Sequence, residues 1–292
     1  VSEHSQFVIG SLHQVSYILI IATGALKVSG GELSMGGLIA CSILSGRILT
    51  PSSKIPNMLV QWGHVKAALQ GLDRMWSLED DHYGVDQPVV VDKVMGQYHF
   101  QDVLVNYDER TAVNIKDLKI KPGEKIGIIG PVGAGKSTLL KLLSGLFKPT
   151  SGRVMLDGID LSHISKPIIA EHIGYVQQEG RLFSGTLREN LILGLVYPGD
   201  DAILYAAEIS GLQQALIAKH PMGLQCPIAE GGTGLSGGQK QLVNLTKVFL
   251  RQPKIWLLDE PTASIDRTFE LKVTAALKQN IKSENTLVLI TH

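Results

Sequence analysis

The nine residues from Gly130 to Thr138 have the spacing of a loop that binds phosphate groups. They read Gly-Pro-Val-Gly-Ala-Gly-Lys-Ser-Thr and fit the pattern G-x-x-x-x-G-K-[ST]. Gly133 and Gly135 let the backbone curl so that consecutive N–H groups face inward, as a nest for anionic oxygens. The Lys136 ammonium can then reach the β- and γ-phosphates of a nucleotide, and the Ser137 hydroxyl can ligate Mg²⁺. The predicted nucleotide contacts of this loop are Gly130, Gly133, Ala134, Gly135, Lys136, Ser137 and Thr138.

The segments on either side of this loop are those that a phosphate site requires. Lys125 to Ile129 is a short apolar run typical of a buried strand, and Ser137 to Leu146 carries leucines at helical spacing. A strand, a glycine turn and a helix N terminus together direct backbone N–H groups at an anion. The alternative, a glycine-rich turn that binds nothing, does not account for these flanking elements.

Two carboxylates follow another apolar run, Ile255 to Leu258. In a doubly wound sheet, the carboxyl ends of the strands form the edge where ligands bind. Asp259 is suited to hold Mg²⁺ directly or through water, and Glu260 is suited to polarise the attacking water. Such a pair usually only begins a loop, but beside a phosphate-binding loop in the same chain it predicts nucleotide hydrolysis.

A second glycine-rich stretch, Leu235-Ser-Gly-Gly-Gln239, also opens a predicted helix. A helix N terminus that carries glycines and a serine is a second anion site, although one nucleotide does not require two such sites from one subunit. The stretch resembles LSGGQ, the signature motif of the nucleotide-binding domain of ABC transporters. The resemblance implies that Ser236, Gly237, Gly238 and Gln239 contact ATP. The surplus anion site leads to the hypothesis that two chains share each ATP in a head-to-tail dimer.

Other residues match the same family. Tyr107 resembles the aromatic residue that stacks on adenine, and Gln178 resembles the glutamine that senses Mg²⁺ and couples to the membrane domain. Ser264-Ile-Asp266 resembles the loop after the catalytic acid, and His292 resembles the switch histidine that contacts the γ-phosphate. The resemblance implies ATP and Mg²⁺ as cofactors. It assigns catalysis to Glu260, Gln178 and His292, nucleotide contacts to Tyr107 and Asp266, and metal binding to Ser137, Gln178 and Asp259.

The first part of the chain differs in composition from the rest. Val8 to Leu26 contains no Asp, Glu, Lys or Arg, and Leu33 to Gly46 is again uncharged and rich in small residues. Stretches of this kind predict two membrane spans, at about 8–28 and 33–55. Basic residues follow the second span, so the positive-inside rule places the remainder in the cytoplasm. The alternative is a buried helical hairpin of a soluble domain.

The predicted organisation follows from these segments. Residues 1–82 form the last part of a transmembrane domain and include an amphipathic cytoplasmic extension at 57–78. A linker at 83–94 leads to an ABC nucleotide-binding domain at 95–292. The predicted fold class is an α/β P-loop NTPase domain with a helical subdomain, preceded by all-α transmembrane helices.

The resemblance extends to one group of exporters. Gly36 to Pro51 and Gln241 to Phe249 resemble the corresponding segments of type I secretion ATPase/permeases. Lys247 stands where that group commonly has arginine, and it keeps the charge but not the planar guanidinium fork. Exporters usually have six spans per half and continue past the switch histidine. The chain is therefore interpreted as a piece of a longer protein, cut at both ends.

These observations predict an ATPase that needs a dimer for activity and drives export across the inner membrane. The expected protein is multi-pass, with a cytoplasmic nucleotide-binding domain, and its cargo is a protein. Its implied partners are a second copy or a paired half-transporter, membrane lipid, a periplasmic adaptor and an outer-membrane channel.

Composition bears on the alternative functions. Lys+Arg and Asp+Glu both number 27, so net charge gives no reason to expect a nucleic acid partner. Cys41 and Cys226 form no metal-binding pattern and are expected to be reduced. The alternatives left open are an exporter of peptides, lipids or drugs and, in another class, a soluble ABC ATPase that acts on nucleic acid or ribosomes.

Overall fold

The computed structural model describes residues 2–52, 54–78, 87–107, 110–178 and 180–291. The chain divides into two compact units, residues 1–79 and residues 80–292. In the first unit the described residues form helices and their connections, whereas the second unit contains all of the described strands.

The N-terminal unit consists of α1 (Ser2–Ser29), α2 (Met35–Ser52) and α3 (Lys54–Trp76). α1 and α2 approach closely at Gly24, where an added Cβ atom would lie 2.3 Å from the Leu38 side chain. A side chain at position 24 would therefore require the Leu38 side chain to move. The helix predicted at 57–78 corresponds to most of α3.

The predicted membrane spans fall on these helices. In the part of the chain that the structure describes, no helix combines the length and the hydropathy needed to cross a membrane. The spans at about 8–28 and 33–55 are therefore not confirmed, and they stay a prediction.

The C-terminal unit combines strands with helices. Its strands are β1 (Tyr98–Tyr107), β2 (Arg110–Ile120), β3 (Lys125–Ile128), β4 (Ser151–Leu156), β5 (Ile159–Asp160), β6 (Ile173–Val176), β7 (Gly185–Thr186), β8 (Pro227–Ile228), β9 (Ile255–Asp259) and β10 (Thr286–Ile290). Its α-helices are α4 (Lys136–Leu143), α5 (Lys166–His172), α6 (Leu187–Ile192), α7 (Asp200–Ser210), α8 (Leu212–Ala215), α9 (Gly237–Arg251) and α10 (Arg267–Asn280). Short 3₁₀ turns occur at Leu161–His163, Ile217–Lys219, Gly223–Gln225 and Glu230–Gly232.

A parallel sheet forms the centre of this unit, with the strand order β3-β10-β9-β6. All five residues of β9 are buried, as expected for an inner strand whose two faces are covered by helices. α4 contacts β9 and β10, and α9 contacts β6. The sheet thereby brings the carboxyl ends of β3, β6 and β9 to one edge.

An antiparallel sheet, with the order β2-β1-β4-β5, packs beside the phosphate-binding helix. The buried Tyr98 of β1 donates its hydroxyl proton to the carbonyl oxygen of Leu143, at the end of α4, over 2.8 Å. Burial raises the pKa of this phenol above its usual value, so Tyr98 stays a neutral hydrogen-bond donor. The bond fixes α4 against the antiparallel sheet.

The helices α6, α7 and α8 lie between β7 and β8 in sequence. They share one apolar core with α9. Its members include Leu187, Ile203, Ala207, Leu212, Leu242, Leu245 and Phe249. The helical subdomain and the helix that follows the signature stretch are thus packed together.

Candidate functional site

The phosphate-binding loop joins β3 to α4. Gly133 and Gly135 have φ angles of 82° and 84°, in the left-handed region that favours glycine. A Cβ atom on Gly135 would also lie 2.3 Å from the carbonyl oxygen of Ala112. Gly135 is the residue that precedes α4, so this turn starts the helix with its N–H groups directed at the loop.

Lys136 lies over its own loop. Its Nζ donates to the carbonyl oxygens of Gly130, at 2.7 Å, and Pro131, at 3.0 Å. The ammonium is therefore held at the loop by two backbone acceptors that a phosphate oxygen could replace.

Asp259 ends the buried strand β9 and is only 3% exposed. The pKa of its carboxyl group is raised above the usual value, chiefly because the group is buried. A hydrogen bond from Ser137 opposes this shift, and the neighbouring Glu260 adds to it. Among the described residues, none donates a hydrogen bond to Oδ1 of Asp259, although this atom is buried. An oxygen acceptor in that position, next to a serine hydroxyl, fits a hard divalent cation such as Mg²⁺.

Glu260 has an unusual backbone conformation, with a φ angle of 47°. A non-glycine residue in the left-handed region costs about 1–3 kcal/mol and persists only where its surroundings hold it. The Glu260 N–H donates to Ile290 on β10 at 3.1 Å, and the Glu260 carbonyl oxygen accepts from Gln241 at 2.6 Å. The conformation turns the chain sharply at the end of β9.

Gln178 follows β6, which pairs in parallel with β9. Its Nε2 donates to Oε2 of Glu260 at 3.1 Å. Two predicted site residues that lie far apart in sequence are therefore in contact. The sheet accounts for this, because β6 and β9 end at the same edge.

The signature stretch begins α9. Ser236 is the N-cap residue, and its hydroxyl accepts from the Gln239 N–H at 3.2 Å while the Gln239 side chain accepts from the Ser236 N–H at 2.9 Å. This capping box starts α9 at Gly237. The Gln239 amide also donates to Ala215 of α8 at 3.2 Å. Its observed contacts thus connect α9 to the helical subdomain.

Of the three remaining predicted site residues, the structure describes Tyr107 and Asp266. Tyr107, at the end of β1, is 42% exposed, and its ring centroid lies 5.5 Å from that of Phe147. Asp266 caps α10 by accepting from the N–H groups of Thr268 and Phe269. His292 lies outside the described residues. Contacts of these residues with a nucleotide stay a prediction.

Lys247 is half-buried in the C-terminal half of α9. Burial lowers its pKa to about 8, and the nearby Arg251 guanidinium contributes in the same direction. Arg251 itself donates to the carbonyl oxygens of Ala170, at 2.7 Å, and Leu193, at 3.4 Å. Arg251 therefore forms the guanidinium contacts seen here, one turn beyond Lys247.

Gln241 is a site residue that the sequence reasoning missed. It is 4% exposed and touches both the Glu260 carbonyl group and the N–H of Ser264. The available signal was a glutamine directly before the apolar residues Leu242 and Val243, on a helix whose polar residues are otherwise expected outside.

Comparison with known proteins identifies a family. Residues 113–263, just over half of the chain, match a family described as "ABC transporter". The chain is 29% identical over 98% of its length to the uncharacterized ABC transporter ATP-binding protein YfiC of Bacillus subtilis (strain 168). It is 32% identical over 92% of its length to the leukotoxin translocation ATP-binding protein LktB of Mannheimia glucosida. It is also 29% identical over 95% of its length to a fatty acid ABC transporter ATP-binding/permease protein of Mycobacterium bovis (strain ATCC BAA-935 / AF2122/97).

The chain spans less than half the length of these relatives: 47% of YfiC, 38% of LktB and 44% of the fatty acid transporter. Among solved structures, a bacterial Atm1-family ABC exporter with ATP bound has a similar fold, with a TM-score of 0.78 and 24% sequence identity. That similarity covers 98% of this chain and 50% of the exporter chain.

Proposed function

This chain belongs to the ABC transporter family, and we propose that it is the ATP-hydrolysing part of an exporter. The observation that carries the proposal is the arrangement at the carboxyl ends of β6 and β9. There the buried Oδ1 of Asp259 lacks a donor among the described residues, and Glu260 projects from a left-handed backbone towards Gln178.

In this proposal each residue of the site has a separate role in hydrolysis. The loop N–H groups and Lys136 bind the phosphates, while Ser137 and Asp259 hold Mg²⁺, which neutralises charge on the phosphate oxygens when bound. Glu260 accepts the proton of the attacking water, and Gln178 orients the Glu260 carboxylate. The strained backbone of Glu260 supports this assignment, because strain of this kind concentrates at functional sites.

We further propose that two chains share each ATP. Ser236 and Gly238 of one chain would then meet the γ-phosphate held by Lys136 of the partner. The N-terminal end of α9, with its N–H groups and its positive dipole end, suits that contact. ATP binding would join the two chains and hydrolysis would release them, while Gln178 passes the movement to the membrane helices.

The proposed setting is the inner membrane, with several spans and a cytoplasmic nucleotide-binding domain. The uncharged stretches of α1 and α2 support it, as do their exposed apolar side chains, which include Ile18, Leu19, Ile39 and Leu44. The proposed cargo is a protein, exported together with a periplasmic adaptor and an outer-membrane channel. The similarity to a leukotoxin translocation protein supports this cargo.

A second candidate cargo is a lipid, which the similarity to a fatty acid transporter favours. The test uses the longer protein that contains this chain, purified from membranes and compared with its Lys136→Ala variant. Mg²⁺-dependent ATP turnover that the variant lacks is the expected result, and equal turnover would overturn the proposed ATPase. Stimulation of turnover by an unfolded secretion substrate, but not by fatty acids, would favour protein export over lipid export.

A further inference from the structure

Gln241 occupies a buried position in the second turn of α9, where a polar side chain needs partners. Both polar atoms of its side-chain amide form hydrogen bonds. Nε2 donates to the carbonyl oxygen of Glu260 at 2.6 Å, and Oε1 accepts from the N–H of Ser264 at 3.0 Å. One side chain thus spans from α9 to the end of β9 and to the loop that follows it.

Hydrogen bonds to the Glu260 backbone determine how this residue is oriented. The Glu260 carbonyl oxygen also accepts from the N–H of Ala263 at 3.2 Å, while the N–H of Glu260 is bonded to Ile290. The peptide planes before and after Glu260 are therefore both fixed, one by β10 and the other by Gln241 and Ala263. Because these planes set φ and ψ, they also set the direction in which the Glu260 carboxylate projects.

The first turn of α9 is packed tightly against the same loop. A Cβ atom on Gly238 would lie 2.7 Å from the carbonyl oxygen of Ser264, and one on Gly237 would lie 3.5 Å from the Ser264 side chain. The Ser264 N–H is therefore bonded to Gln241, and the Ser264 carbonyl group lies close to Gly238. The N terminus of α9 and the backbone of Glu260 are connected through these contacts.

We propose that Gln241 is a positioning residue, which keeps the Glu260 carboxylate at a fixed place relative to the signature end of α9. The inference rests on the proposed ATPase function and deepens it. Gln241 acts on the reaction through the Glu260 carbonyl group, and it does not touch the nucleotide. Any shift of α9 is transmitted to the catalytic base by a hydrogen bond of 2.6 Å.

The test is Gln241→Met in the longer protein, because methionine has a similar length but cannot form either hydrogen bond. We expect kcat to fall about 10- to 100-fold, the loss that follows from misplacing a reacting group by about 1 Å. The KM for ATP and the affinity for a fluorescent nucleotide should stay within about twofold of wild type. Gln214→Met is the matched control, since Gln214 is exposed on α8 and its side chain contacts Lys272.

A double variant tests whether the effect passes through Glu260. In a Glu260→Gln background, Gln241→Met should reduce single-turnover hydrolysis by less than about twofold further, because residues that act as one unit are not additive. A full additional loss in this background would overturn the inference. So would a wild-type kcat, or a raised KM with an unchanged kcat, for the Gln241→Met protein.

Gln241→Glu provides a second variant if the methionine variant fails to fold. It has the same shape and keeps an acceptor for the Ser264 N–H, but its carboxylate, once ionised at high pH, cannot donate to the Glu260 carbonyl oxygen. We expect a fall in kcat in the same range, and wild-type turnover would overturn the inference. If the wild-type protein itself does not hydrolyse ATP, the proposed function fails instead, so the two failures are distinguishable.

Discussion

The amide of Gln178 donates to the carboxylate of Glu260 at 3.1 Å, although the two residues are 82 positions apart in sequence. The contact exists because β6 and β9 are parallel neighbours, with Val176 opposite Leu258. Each residue comes two positions after its member of that pair, so both leave the sheet at the same edge. This places a neutral hydrogen-bond donor on the proposed catalytic base.

The first prediction concerns the base itself. Glu260→Gln keeps the shape of the side chain and removes the proton acceptor, so turnover should fall by ~10²–10⁴ while ATP still binds. Steady-state hydrolysis and nucleotide titration on the same preparation measure the two effects. Glu270→Gln, on the first turn of α10, is the matched control and should keep its turnover. Retained hydrolysis in the Glu260 variant would mean that another group accepts the proton.

The second prediction concerns the phosphate-binding lysine. Lys136→Ala removes the ammonium that the Gly130 and Pro131 carbonyl groups hold at the loop. Because charge-assisted hydrogen bonds are the strong ones, ATP affinity should fall about 10- to 100-fold. Fluorescent-nucleotide titration measures this change, with Lys119→Ala, at an exposed position on β2, as the control. Equal affinities for mutant and wild type would contradict the role of the loop.

The third prediction compares two glycines of that loop. Gly133 and Gly135 have nearly the same φ angle, but an added Cβ meets open space at Gly133 and the Ala112 carbonyl oxygen at Gly135. Gly133→Ala should therefore lower the free energy of unfolding by about 1–2 kcal/mol, the cost of the left-handed conformation alone. Gly135→Ala should lower it by about 1–3 kcal/mol more, because the backbone must also move.

Urea unfolding of the nucleotide-free protein measures both losses. Since each variant carries the same substitution at nearly the same φ angle, the difference between them isolates the steric contribution. Equal losses for the two variants would mean that the loop accommodates a side chain at Gly135 without cost.

The fourth prediction tests whether two chains share each ATP. Lys136→Ala and Ser236→Arg each damage both sites of a homodimer. In a mixed dimer with one mutation per chain, one site carries both mutations and the other site carries neither. We expect the mixed dimer to bind nucleotide at about half of the wild-type stoichiometry, and an equimolar mixture of the two mutants, in which about half of the dimers are mixed, to reach about a quarter, while each mutant alone binds weakly. Absence of recovery over either parent would count against a shared site.

Local motifs determined the parts of the site that lie within one short segment. The phosphate-binding loop and the capping stretch at Ser236 are such segments, because a nest or a helix cap is built from consecutive backbone groups. The strand that precedes the phosphate-binding loop and the strand that ends at Asp259 also followed from short apolar runs. The membrane spans are a different case, since composition predicts them and no described helix meets the requirements for crossing a membrane.

Tertiary structure alone decided which residues meet Glu260. Gln178 reaches it through the pairing of β6 with β9, and Gln241 reaches it from the second turn of α9, which lies next to the residue after β9. Neither contact has a fixed spacing in sequence, since each depends on strand order and on the packing of a helix across the sheet. The same is true of Gln239, whose amide is bonded to α8. A sequence pattern specifies the backbone geometry of consecutive residues, whereas contacts between distant segments form only when the buried faces of the whole unit pack together.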